Sequence, residues 1–135
     1  MNIRKFAQIF DGLKQAHGTF TIESKSSSGK TQGKATVVRE TRTKEHWERH
    51  LAGEQSIGII PINEDNACRW GCIDIDQYNF DHKALIEKIQ AAKLPLVVCR
   101  SKSGGAHVFL FTDEFIPAKD MQDVLTQLSA GLGYG

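Results

Sequence analysis

The stretch WGCIDIDQYNF, residues 70–80, alternates its side chains: Cys72, Asp74 and Asp76 share one parity, Ile73 and Ile75 the other. Successive residues of a strand point to opposite faces, so the two aspartates share a face with Cα atoms about 6.5–7 Å apart. Residues 81–93 then switch to helical spacing. Leu85, Ile86 and Ile89 form the face expected to be buried, and Asp81 is placed to cap the start. Residues 94–100, rich in leucine and valine, read as a second strand. Strand, helix and strand at this length imply parallel pairing through a right-handed crossover. The helix covers one face of the sheet. The isoleucines fit beneath it, which turns the aspartates to the open side.

Further along, a glycine turn at 103–105 leads to a strand over 106–112, a hairpin partner for the second strand. A last helix is expected over 118–130, with Met121, Val124, Leu125 and Leu128 inward. Upstream, Ile3, Phe6, Ala7, Phe10 and Leu13 predict an amphipathic helix over 2–16, ended by Gly18. A hairpin follows, its strands near 19–22 and 35–38 and its polar loop over 24–34. Residues 43–52 read as a short helix carrying Trp47 and Leu51 and closed by Gly53. Residues 57–62 read as a short apolar strand that Pro61 confines to an edge. The division expected is a helix-hairpin-helix α/β module over 1–55 and a second domain over 56–135.

Composition narrows the function classes. The chain has 135 residues, 40% of them hydrophobic, enough for a real core. With 17 basic and 16 acidic residues the net charge is +1. That excludes a protein held to nucleic acid by bulk charge alone. Cys68, Cys72 and Cys99 are an odd count without a dense framework, which points to free thiols in a reducing cytoplasm. Cys68 and Cys72 are not followed by a second pair at zinc-finger spacing. His46 and His50 stand one helical turn apart, but no carboxylate is arranged to complete a metal site, so they read as surface histidines. The N-terminus carries charges throughout and has no apolar core of a signal peptide, and no window reaches the length of a membrane span. The SGKT at 28–31 is not a P-loop: that motif needs glycine where Ser24 stands, and a helix where the sequence alternates like a strand. Lys25, Lys30 and Lys34 make the loop a basic tip, either solvated or touching phosphates.

Two carboxylates on one strand face are costly unless something neutralises them. Oxygen ligands suit magnesium or manganese, and two such ions can clamp an in-line phosphoryl displacement. Solvation, or pairing with Arg69 or Arg100, is the alternative. A second motif, CRSKSGGAHVFLF at 99–111, puts Arg100, Ser101, Lys102 and Ser103 just beyond the second strand. Hydroxyls, backbone N–H groups and two cations suit a phosphate, and Gly104 and Gly105 allow close backbone approach. His107 then opens the next strand, where it can donate to a triphosphate oxygen. Phe109 and Phe111 share its parity, available for stacking bases or for packing.

Together CIDID and SKSGGAH resemble the catalytic domain of the archaeo-eukaryotic primase superfamily, which pairs a strand motif hhhDhD or hhhDhE with a later motif ending in histidine. The second resembles the S-x-S-x-G-x-H of polymerase domains in bacterial repair ligases; the strict Ser-x-His form is not met, because Gly105 stands two before His107. The wider run over 45–135 looks most like the primase-like domain of TOTE conflict systems and related phage proteins, while the first forty residues carry little of it. The resemblance implies an α+β fold: an RRM-like palm of βαβ plus a hairpin strand and helix, with an N-terminal α/β module. It implies a primase-polymerase, a nucleotidyltransferase of DNA replication that makes or extends a primer. Asp74 and Asp76 would hold Mg2+ or Mn2+. His107 and the segment of Arg100, Ser101, Lys102, Ser103 and Gly105 would hold the nucleoside triphosphate, and Asp74, Asp76 and His107 would be catalytic. The partners implied are nucleoside triphosphates and a single-stranded DNA or RNA template, with a helicase or further domains beyond Gly135 as candidates and no membrane. The family's third carboxylate lies on a later strand, and the chain reaches Gly135 before one. The reading therefore expects a palm truncated at its C-terminus, with a non-catalytic nucleic-acid or nucleotide-binding palm as the second reading and a metal-dependent phosphoesterase as a third.

Overall fold

The computed structural model describes residues 2–25 and 31–134. They form two compact units, Met1–Asp65 and Asn66–Gly135.

In the first unit α1 covers Ile3–Ile9, and the Asn2 side chain caps it by accepting from Lys5 N–H. The helix is shorter than the apolar spacing predicts, for a local reason. Asp11 accepts from the Gly12 N–H, and the Leu13 N–H donates to the Ile60 carbonyl. A side chain at Gly12 would collide with that same carbonyl, so the chain must leave the helix here. Strands β1 (His17–Lys25) and β2 (Thr31–Val38) pair antiparallel from His17↔Val38 to Lys25↔Thr31. They run deeper into the Ser/Gly-rich stretch than its composition suggests, with an irregularity between Ile22 and Ser24. Of the expected basic tip, Lys30 lies outside the described residues, as does most of the SGKT stretch and the side chain of Lys25; Lys34 is exposed on β2.

Helix α2 covers Lys44–Leu51 and ends where Gly53 adopts a φ of 78°. Its His46 and His50 are half-buried structural groups, not surface histidines. His46 Nδ1 accepts from the Thr43 N–H at 2.9 Å, and its ring lies 4.6 Å from that of buried His17; His50 Nδ1 meets the Gln55 carbonyl at 3.2 Å. Burial and the neighbouring His46 and Arg42 charges lower the His17 pKa, against an opposing hydrogen bond to Glu40. Phe6 packs edge-on against buried Trp47 at 5.6 Å, joining α1 to α2. The strand expected at 57–62 reduces to a bridge between Gly18 and Gly58, with 2.7 Å bonds in both directions. Pro61 has no N–H to extend it. These bonds tie 56–65, read from the sequence as the start of the palm, into the first unit.

The second unit runs β3 (Ala67–Ile75), α3 (His82–Ala91), β4 (Leu96–Arg100), β5 (Ala106–Pro117) and α4 (Ala118–Leu132). The sheet order is β3-β5-β4, and both pairings are antiparallel. The direct parallel pairing expected of β3 and β4 does not occur. They run the same way, but β5 inserts between them, which makes a split βαβ. The central place falls to the strand that is apolar on both faces: Ala106, Val108 and Leu110 on one, Phe109 and Phe111 on the other. Ile75, Leu85, Ile89, Ala106, Val108 and Leu132 form one buried cluster, and Cys68, Leu110 and Met121 a second. Helices α3 and α4 therefore lie on the isoleucine face, as the parity requires. Two positions read as inward are exposed instead, Ile86 and Val124. Among the described residues no helix is long and apolar enough to cross a membrane. All three cysteines are free thiols.

Candidate nucleotide and metal site

Antiparallel pairing on both sides of β5 brings three chain segments to one end of the sheet: the ends of β3 and β4 and the start of β5. His107 is the pivot. Its Cα partners are Asp74 on β3 and Cys99 on β4. Its Nε2 stands 3.5 Å from Asp74 Oδ1, and both side chains remain accessible, at 44% and 70% exposure. Among the described residues the pairing with Arg69 or Arg100 that could have made the aspartates merely structural is not the one formed. Arg69 donates to the Asp113 carbonyl at 2.9 Å and lies over the Phe115 ring. Asp76 follows β3 directly and is exposed.

The turn after β4 is closed by its own backbone. Ser101 N–H donates to the Gly105 carbonyl and Gly104 N–H to the Ser101 carbonyl, both at 3.1 Å. Those two N–H groups are thus spent within the turn rather than offered to a phosphate. The Ser101 and Ser103 hydroxyls stand 3.3 Å apart and Lys102 is exposed, whereas Arg100 pairs with Ala106 and so leaves β4 on the sheet face opposite His107. Gly104 takes a φ of 92°, the left-handed region that glycine enters without strain. Gly105 is glycine for another reason: a side chain there would collide with the Ile75 carbonyl. Its bareness lets the turn lie against β3 beside Asp76.

Sequence reading missed His82. As the first residue of α3 it donates from Nε2 to the Gly105 carbonyl at 2.7 Å, pinning the turn to the helix that follows the aspartates. A lone histidine after a capping aspartate carries no spacing signal that would have found it.

The face bearing Asp74 and His107 continues as an aromatic row. Phe109 stacks on Phe111 with centroids 5.8 Å apart and 20° between planes, and Trp70 lies 6.0 Å from Phe109. Cys72 sits within this row, half-buried. Burial first, and the Asp74 charge second, push its thiol pKa up to about 11.

Among the described residues no group of three or more His, Cys, Asp or Glu side chains could hold a metal. Two exposed carboxylates fit magnesium in the way that ion is commonly held, by one or two carboxylates with substrate phosphates and water completing the shell. Asp74 and Asp76 are the residues that would hold it.

No curated protein matches the chain. One family does: the TOTE conflict system, Archaeo-Eukaryotic Primase domain, over residues 5–132. That span takes in the helix-hairpin-helix segment as well as the palm, so the likeness reaches further toward the N-terminus than the two motifs alone indicate. With nearly its whole length matched and a palm-like α+β sheet in its second unit, the chain belongs to the archaeo-eukaryotic primase domain family of TOTE conflict systems.

Proposed function

We propose that this domain is a primase-polymerase, transferring nucleotides from nucleoside triphosphates to the 3′ end of a strand on a single-stranded template. The observation that carries the reading is the register of Asp74 with His107, at the end of the sheet where the Arg100 to Ser103 segment also lies. Each group has a task in that chemistry. Asp74 and Asp76 hold the divalent cation. His107 donates to a phosphate oxygen of the incoming nucleotide, and Lys102 and the serine hydroxyls neutralise and orient the triphosphate tail. The 3′-hydroxyl attacks the α-phosphorus, its proton passes to solvent, and pyrophosphate leaves. Mg2+ or Mn2+ held by Asp74 and Asp76 would lower the pKa of that hydroxyl and offset charge on the leaving group. Phe109 and Phe111 offer rings on which a base can stack.

The second reading, a palm that binds nucleotide or strand without catalysis, is favoured by the count of acids: two carboxylates are fewer than a complete two-metal site commonly uses. Primer extension with manganese on a single-stranded template decides among the readings. Lengthened primer supports the proposal. Metal-dependent triphosphate binding with no elongation assigns the binding palm, and a shortened primer assigns a phosphoesterase.

A further inference from the structure

The first unit contains a cavity of about 620 Å³ that the palm chemistry does not use. Four cations line it, Arg4, Lys14, Arg42 and Lys44, against a single acid, Asp11, and Trp47 gives it an apolar wall. Arg42 is the unusual member. Its side chain is only 5% exposed, and its nearest carboxylate oxygen, Asp11 Oδ1, stands 3.7 Å from Nη2. Its Nη1 is buried with no hydrogen-bond partner among the described residues. The guanidinium lies over Trp47, its Cζ 5.6 Å from the ring centroid, and the backbone at Arg42 is anchored by its N–H donating to the Lys14 carbonyl at 2.8 Å. A buried guanidinium with an unused donor is costly, because the desolvation of that donor is not repaid. Burial lowers its pKa while Asp11 opposes the shift.

We infer that this cavity binds a phosphoryl group carried by a small molecule of about nucleotide size. A tetrahedral oxyanion accepts from the Arg42 guanidinium together with the rim cations, the charge-assisted contact that arginine favours. Arg4, Lys14 and Lys44 add charge at the rim, with Lys44 partly engaged by Glu48 at 3.3 Å. The volume lies in the range of small-molecule pockets, leaving room beside the phosphate for a ring. None of the residues of the palm site contributes, so the inference stands whether or not the palm proves catalytic.

The test is calorimetric titration of inorganic phosphate and of adenosine 5′-monophosphate into the whole chain without divalent cation, with chloride of equal ionic strength as control. Saturable one-site binding of both is expected, retained in the Asp74→Ala/Asp76→Ala variant and weakened about tenfold or more by Arg42→Gln. If Arg42→Gln fails to fold by circular dichroism, the exposed pair Arg4→Ala/Lys14→Ala decides: a comparable loss supports the site and unchanged affinity overturns it. Tighter binding of the nucleotide than of phosphate shows that the rest of the nucleotide also contacts the cavity, while equal affinities assign the site to the phosphoryl group alone. Absence of saturable binding, an equal response to chloride, or binding only of a single-stranded oligonucleotide and of neither small phosphate overturns the inference.

Discussion

Asp74 and His107 occupy one rung of the β3–β5 ladder, and their separation of 3.5 Å makes each the other's partner until a ligand arrives. Both are exposed, so the pair contributes little to the fold, about 0–1 kcal/mol. Asp74→Ala with Asp76→Ala is therefore expected to change stability by less than about 1 kcal/mol while abolishing manganese binding. Unchanged manganese affinity in the folded double variant would remove the metal assignment. His107→Ala should weaken triphosphate binding about tenfold and strand binding much less, since only the former uses a donor to phosphate. Equal losses would reduce the ring to a structural role. Cys72, on the same face, gives a pH prediction. Its folded pKa is raised from 9.0 to about 11. A raised acid stabilises the fold fully below the unfolded value and loses that contribution as pH climbs through the folded one. Buried Cys68 is raised as well, so the informative quantity is a difference. The stability gap between the native chain and Cys72→Ala should narrow between pH 9 and 11; a gap constant across that window would contradict the assignment.

At the scale of elements, α3 positions both halves of the site. Asp81 caps it by accepting from Ala84 N–H at 3.0 Å, and His82 ties its first turn to Gly105. Asp81→Ala removes the cap and should cost about 1 kcal/mol, read as a lowered denaturant midpoint with unchanged slope. A midpoint unmoved by the substitution would show that the packing of fully buried Leu85 holds the helix without it. This is also the scale at which the sequence was most legible. Period-two alternation fixed the face of Asp74, and period-three-to-four spacing found α3 and α4. Periodicity assigns faces but not neighbours, so the insertion of β5 between β3 and β4 was not readable. The end of α1 depends on the Ile60 carbonyl, a contact far away in sequence, and the same holds for Gly105 against Ile75. Arg42 sits in a charged run that looks like solvated surface, and only the fold reveals that it is buried.

At the scale of the molecule, the division into units follows from where the apolar contacts close. Both buried clusters of the second unit draw all their residues from beyond Asn66, and every residue assigned to the palm site lies there too. Residues 66–135 expressed alone should therefore fold cooperatively. The Ala118 N–H closes the first turn of α4 onto the Asn66 carbonyl at 2.9 Å, which makes a cut before Asn66 safer than one inside β3. The fragment is small, so its margin is narrow, about 3–5 kcal/mol. Among the described residues β3 is paired only with β5, which leaves one edge able to recruit other chains at high concentration. Equilibrium urea unfolding at low micromolar concentration is the measurement. A single sigmoidal transition, with manganese-dependent triphosphate binding retained, is expected. A gradual, non-cooperative loss of signal would mean that the palm draws stability from the first unit, and any account of the site would then have to include both.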